Sequence, residues 1–375
     1  MDYLSEFPQF ASSIYLDVAY QGPFPRATVA RIQQAIELKC RPDRLGAAEY
    51  FDLPERVRAR LAELVGADAS EIALTNSATQ GIGVVAAGLG LEAGDEVVIA
   101  STNFPANLFT WLHLGRRGVR VHVLKPLDGY VRVEDVAAVL TPRTKVLALD
   151  WVSYSTGVRS DLVALGEMVR RQGGIFVVDG TQGVGALEMN LHDLPVDVLA
   201  VAAYKWLLGP YGTGFVYLSW KIQERLDLPF VNWCSVEGAD NFDALPTDRF
   251  TLPKTARIFD VPGTANFLNL YGLEASLEFI ERAGVRTITE HCRALLERLA
   301  EGLLERGYTL SAAAVPERSS TILGFQAATP EATADLHRKL RANGVGVSLR
   351  HNMIRVSPYL YNCPAHIDRL LEIAG

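Results

Sequence analysis

Two stretches decide how this chain reads: Gly174-Ile-Phe-Val-Val-Asp179-Gly-Thr-Gln182-Gly183 and Val198-Leu-Ala-Val-Ala-Ala-Tyr204-Lys205-Trp206-Leu-Leu-Gly209-Pro210. Each begins as a short apolar run without polar alternation, the pattern of a strand covered on both faces, and each run leads into a charged side chain. Working outward, comparable runs predict strands at 71–75, 96–100, 119–124, 145–150, 174–179, 197–202 and 214–218. Helical spacing separates them at 54–65, 78–88, 106–114, 133–140 and 162–171. Strands of this kind joined by helices imply an α/β fold with a mostly parallel sheet buried between helical layers.

Residues 14–253 read as one large α/β domain, with residues 1–13 as an arm. From residue 261 the texture changes. A long helical region at 264–306, interrupted near Ala283-Gly284, leads into a strand at 320–325 and a helix at 330–343. Strands at 345–349 and 354–358 and a last helix at 364–373 follow. This is a smaller α+β unit, 261–375. Two domains suit 375 residues at roughly 150 per domain.

Composition removes several classes. With 49% hydrophobic and 21% charged residues the chain has ample core material, and disorder or a coiled coil is excluded. A net charge of −7 gives no electrostatic reason to seek nucleic acid or an anionic membrane. The longest charge-free stretch, 72–91, holds four glycines together with Asn76, Ser77, Thr79 and Gln80, too polar for a membrane span. No secretory signal is visible at the start. Cys40, Cys234, Cys292 and Cys363 lie far apart, which predicts reduced thiols in a cytoplasmic protein, and scattered histidines predict no metal site.

In open parallel sheets ligands bind beyond the carboxyl ends of strands, so the polar residues there matter most. Asp179 is either a turn residue or a partly desolvated carboxylate that needs a cation. Lys205 either snorkels to water or is held desolvated, where a lowered pKa would let its amine form a Schiff base. Thr75-Asn-Ser77-Ala78-Thr79-Gln80-Gly81 suits a simple helix cap or a phosphate seat. Phe104, in Ser101-Thr-Asn-Phe104-Pro105, is a core ring or a platform for a planar ligand. The Gly81-Ile-Gly83-Val-Val-Ala86 match to a dinucleotide motif is accidental: Asn76–Gln80 separate it from its strand.

Together these segments resemble the aminotransferase class V superfamily of pyridoxal 5'-phosphate (PLP) enzymes, over nearly the whole chain from Ile14-Tyr-Leu-Asp17 to Tyr361-Asn362. That family includes cysteine desulfurases, selenocysteine lyases, kynureninases, isopenicillin N epimerases and small aminotransferases. The resemblance implies the PLP-dependent transferase fold type I, with Lys205 holding the cofactor and Asp179 pairing with its ring nitrogen. It also implies that Gln182 bonds the phenolic oxygen, that Phe104 stacks on the ring, and that Ala78, Thr79 and Tyr204 hold the phosphate. Thr264, in Gly263-Thr264, would reach the phosphate of a neighbouring subunit, so a homodimer with shared sites is expected. Arg355, in Ile354-Arg-Val-Ser-Pro, would grip the substrate carboxylate.

The departures narrow the activity. Desulfurases carry a nucleophilic cysteine on a mobile loop, whereas Val347-Ser-Leu-Arg350-His351-Asn352 is short and has none, and Cys363 lies outside the matching position. Tyr154 stands where desulfurases often have asparagine, and Gln182 where kynureninases usually have histidine. The expectation is an enzyme acting on an α-amino acid through an external aldimine and a carbanion, most like a desulfurase-type lyase (C–S or other β-elimination) without the cysteine. An aminotransferase or an epimerase is the alternative. A non-catalytic binding protein would be expected to have lost Lys205, Asp179 or Gln182, and all three are present. Tyr20, Gln21, Trp233, Arg350 and His351 either line the pocket or serve the structure.

Overall fold

The computed structural model describes residues 3–46, 48–228, 230–261 and 266–375. Strand β1 (Ile14–Tyr15) and helices α1 (Arg26–Cys40) and α2 (Leu53–Val65) precede the alternating region. That region contains β2 (Ile72–Thr75), α3 (Ala78–Gly88), β3 (Glu96–Ala100), α4 (Ala106–His113), β4 (Arg120–Leu124) and α5 (Val133–Ala137). It continues with β5 (Thr144–Asp150), α6 (Leu162–Arg171), β6 (Ile175–Asp179), β7 (Val198–Ala202), β8 (Gly214–Leu218) and α7 (Trp220–Gln223). These match the expected elements closely. The long α1, whose exposed faces blur its apolar period, and the single-turn α7 have no counterpart among the helices named from the sequence.

Among the described residues the central sheet has seven strands in the order β2-β8-β7-β6-β5-β3-β4, parallel except for β8. Alternate side chains separate cleanly by face. Val98, Leu147, Leu149, Phe176, Val178, Leu199 and Val201 enter one core, and Val97, Ile99, Val146, Ala148, Ile175, Val177, Val198 and Ala200 the other. Helices α2, α6 and α8 cover the first face, α3 and α4 the second. Asp150 and Asp179 continue the second series, so both carboxylates point toward the α3–α4 side.

The chain then forms α8 (Phe267–Ala283) and α9 (Val285–Glu305), separated at Gly284, whose φ of +80° suits glycine. Next come β9 (Thr309–Leu310), β10 (Leu323–Gln326), α10 (Pro330–Ala342), β11 (Val345–Gly346), β12 (Ser348–Arg350), β13 (Met353–Val356) and α11 (Pro364–Ala374). Strands β12-β13-β10-β9 make an antiparallel sheet. The single strand expected at 345–349 is two: β11 turns away to pair with β1, and β12 pairs with β13.

Side-chain packing crosses the boundary drawn from sequence texture. Helix α8 packs along α1 and α2 and shares a core with α2, while Leu16, near the start of the chain, sits in the core of the C-terminal unit. Asp17 follows it, 3% exposed, and meets Arg355, 2% exposed, at 2.8 Å. Ser348 donates its hydroxyl to the same carboxylate. Burial raises the Asp17 pKa and lowers that of Arg355 despite their pairing, so packing enforces this contact and removing one member strands a buried charge. Asp17→Ala should therefore lower unfolding stability by about 3–5 kcal/mol, and Asp17→Leu combined with Arg355→Met should restore most of it in urea titrations. Equal losses in the single and double variants would refute this account.

Candidate active site

Five strand ends supply the site. Asp150 ends β5 and Asp179 ends β6, and the two are register partners on adjacent parallel strands. Lys205 follows β7, Phe104 follows β3, and the start of α3 follows β2. Ser77, Ala78, Thr79, Phe104, Asp150, Tyr154, Asp179, Gln182, Tyr204 and Lys205 all line one cleft of about 440 Å³, counting its open mouth. The expected Ala78, Thr79, Phe104, Asp179, Gln182, Tyr204 and Lys205 are thus brought together.

Lys205 is 6% exposed. Its Nζ lies 4.9 Å from the centre of the Phe104 ring and 5.7 Å from that of Tyr204. It forms no ion pair within 4.0 Å among the described residues, so the amine and the two carboxylates face the same space without touching. Burial lowers its pKa to about 8, against the pull of Asp179 and with help from the Arg355 and Arg350 charges. A tight turn closed by the Leu208 N–H on the Lys205 carbonyl (3.0 Å) fixes the backbone, with Leu208 at φ +54°. From the other side Gly22 donates to the Tyr204 carbonyl at 2.9 Å, and a Cβ on Gly22 would stand 1.9 Å from the Lys205 oxygen. Only glycine lets the two segments meet so closely.

Asp179 is 4% exposed and accepts the Thr181 N–H at 2.9 Å. Burial raises its pKa, opposed by the Thr181 bonds and by Lys205. Asp150 accepts the Phe104 N–H at 2.6 Å and an Asn107 amide hydrogen at 3.2 Å. Burial first, and the Asp179 charge second, push its pKa well above the carboxylate range. Asp150 was missed from the sequence, although its apolar run Val146-Leu-Ala-Leu-Asp150 has the same form as the one ending at Asp179.

Gln182 accepts the Trp206 indole N–H at 2.9 Å and donates one amide hydrogen to the Ala19 carbonyl at 2.9 Å, which leaves its second amide hydrogen. At the opposite end Ser77 caps α3 by accepting the Gln80 N–H, so the Ala78 and Thr79 N–H groups open the helix without an intrahelical acceptor. Tyr204 packs against Tyr211 with ring centres 4.9 Å apart.

Arg355 does not line the cleft wall. It stands one residue layer behind, donating to the Tyr154 carbonyl at 2.6 Å, and its buried Nε has no acceptor. Thr264 lies outside the described residues. His351 meets the Tyr154 hydroxyl at 2.6 Å, and the Arg350 guanidinium lies over the Tyr20 ring at 5.5 Å. Gln21 gives its carbonyl to the Tyr15 hydroxyl, and Trp233 packs edge-on against Phe51.

These residues fit PLP. An aromatic ring flanks the amine, a buried carboxylate lies beyond hydrogen-bond reach of it, Gln182 with a spare amide hydrogen lines the same cleft, and a helix start offers free N–H groups to a phosphate. The orphaned Arg355 Nε marks a place for a ligand acceptor close behind.

Comparison with known proteins agrees. The pattern of the aminotransferase class-V family matches residues 14–370. A probable cysteine desulfurase of Methanothermobacter thermautotrophicus is 28% identical over 306 residues, 80% of this chain and 74% of its own. An isopenicillin N epimerase of Streptomyces clavuligerus is 26% identical over 371 residues, 96% and 93% of the two chains. Among solved structures, the apo cysteine desulfurase of Thermococcus onnurineus NA1 superposes with a TM-score of 0.86 at 22% identity, covering 100% of this chain and 96% of the other. The cystine C–S lyase C-DES, in complex with its product cysteine persulfide, gives 0.88 at 23% identity over 98% and 99%. This chain is a fold type I protein and belongs to the aminotransferase class-V family of PLP-dependent enzymes.

Proposed function

We propose that the protein is a PLP-dependent lyase acting on an α-amino acid, cleaving a C–S or other β-bond without a protein thiol as acceptor. The observation that carries this is the buried Lys205 amine, unpaired and facing Asp179 in one cleft. Bound PLP supplies an electron sink for charge that develops on the substrate α-carbon. Lys205 is the residue we assign to hold it, and an amine depressed to about 8 is both nucleophilic and able to take a proton near neutral pH. Asp179 would keep a proton on the ring nitrogen, Gln182 would offer its spare hydrogen to the phenolic oxygen, and Phe104 would stack on the ring. Ala78 and Thr79 would seat the phosphate with help from Tyr204. Arg355, behind the cleft wall, is the cation we assign to the substrate carboxylate, which would reach it by displacing part of that wall.

The hairpin between β12 and β13 favours a lyase without a cysteine relay. Its turn is two residues, His351 and Asn352, both at positive φ. No cysteine lines the cleft; Cys40 and Cys363 are exposed, and Cys234 and Cys292 buried. Similarity to an isopenicillin N epimerase across 96% of the chain supports a second reading, an amino-acid epimerase. The four cysteines, none of them in a disulfide among the described residues, support a cytoplasmic location. The family resemblance of the segment around Thr264 supports a homodimer with shared sites.

Three measurements test this. Lys205→Ala should abolish the visible absorbance of the PLP-loaded protein and lower turnover roughly 10²–10⁴-fold; survival of the band in the variant refutes the assignment. Reloading of PLP-free protein should quicken with rising pH, half-maximal near pH 8 as the buried amine loses its proton, and a rate independent of pH contradicts it. In an amino-acid screen without an added oxo acid, a lyase releases keto acid and ammonia over many turnovers. Arrest after one equivalent indicates an aminotransferase, and loss of optical rotation without release indicates an epimerase.

A further inference from the structure

Around the cleft, among the described residues, Arg355, Asp179 and Asp150 each have a partner within hydrogen-bond distance. Arg355 is neutralised by Asp17, and Asp17 is also held by Ser348. Lys205 faces Asp179, and both Asp179 and Asp150 are tied to N–H donors. Arg350 has no carboxylate partner among the described residues. The hydrogen bond its guanidinium makes there goes to the neighbouring Leu349 carbonyl, at 3.0 Å.

Its position is defined by the hairpin. Ser348 pairs with Arg355 and Arg350 with Met353, so Ser348, Arg350 and Arg355 share one face of β12–β13. On that face Ser348 and Arg355 converge on Asp17, next to Tyr154 on the cleft wall. The next residue, His351, binds the Tyr154 hydroxyl, and the Arg350 guanidinium is stacked on Tyr20, half-exposed three residues after Asp17. The Arg350 charge reaches inward: it helps depress Lys205 and opposes the rise of the Tyr154 pKa. A planar cation lying over an aromatic ring, its charge felt by Asp17 but without an anion at hydrogen-bond distance, is preorganised for an oxyanion.

We infer that Arg350 binds a second anionic group on the substrate, so that the preferred α-amino acids carry a carboxylate or another oxyanion on the side chain in addition to the α-carboxylate. This rests on the reading that Lys205 holds PLP and that an α-amino acid enters the cleft. The surrounding titratable groups (Tyr20, Tyr154, His351, Lys205 and Arg355) include no acid that would compete with such a ligand once Asp17 is engaged.

The test uses the PLP-loaded protein and two isosteric pairs, L-aspartate with L-asparagine and L-glutamate with L-glutamine, titrated against its visible absorbance. The acid of each pair should bind at least about tenfold more tightly than its amide, the fold-change of one charge-assisted hydrogen bond. In Arg350→Gln that preference should fall to near unity with the visible band still present, and Arg350→Lys should keep part of it. Equal affinity for acid and amide in the wild type overturns the inference, as does a preference that survives Arg350→Gln. Weaker PLP retention in Arg350→Gln with an intact preference also overturns it, and assigns the cation to the cofactor phosphate. Absence of the visible band in wild-type protein loaded with PLP refutes the underlying reading instead.

Discussion

One amine and two carboxylates are buried together at the carboxyl ends of three neighbouring strands, and the remaining architecture keeps that arrangement tolerable. Each of these groups loses hydration on folding, and none is matched to another at ion-pair distance. Asp179 is held by the Thr181 N–H of the loop it begins and Asp150 by the Phe104 N–H of the loop after β3, so the same bonds that make the carboxylates tolerable also set the course of the chain above the sheet. Asp150 fastens the backbone of Phe104, which places the ring beside Lys205. The sheet fixes the spacing, because Asp150 and Asp179 are abreast by parallel register and share a face by parity.

The cleft is completed from both ends of the chain. The segment after β1 runs past the Lys205 turn, where Gly22 permits contact with its carbonyl, and it also carries Asp17 to Arg355. Gln182 belongs to the same layer, since its amide bridges the Ala19 carbonyl and the Trp206 indole. A bond from the N-terminal segment, a residue after β6 and a residue after Lys205 therefore meet at one side chain. The C-terminal hairpin closes the other flank through Tyr154 and His351.

The sheet was legible because its strands are buried on both faces and read as unbroken apolar runs flanked by amphipathic helices. The cluster at its edge was legible because strand ends carry Asp179 and Lys205 in contexts that hydrophobicity alone does not explain. What stayed hidden depends on partners distant in sequence. Asp17 carries no local sign that it meets Arg355, and nothing near Gly22 reveals the carbonyl it must clear. Asp150 was readable by the rule that selected Asp179, but it lacks the Gly-Thr-Gln sequence that drew attention to the latter. The strand expected at 345–349 divides because β11 finds its partner in β1, some 330 residues earlier, and no local pattern encodes that choice.

Asp17 and Arg355 are separated by 338 positions, which imposes an order on biosynthesis. The sheet can assemble as the nascent chain emerges, since its strands lie within one continuous stretch, but Asp17 must wait for a residue made 338 positions later. Until then Asp17 is solvated, and the lysine turn lacks the cover that the segment through Gly22 provides. The Asp17–Arg355 contact thus forms only once the β12–β13 hairpin has been made, and a ribosome stalled before it would hold a folded sheet with an unfinished site.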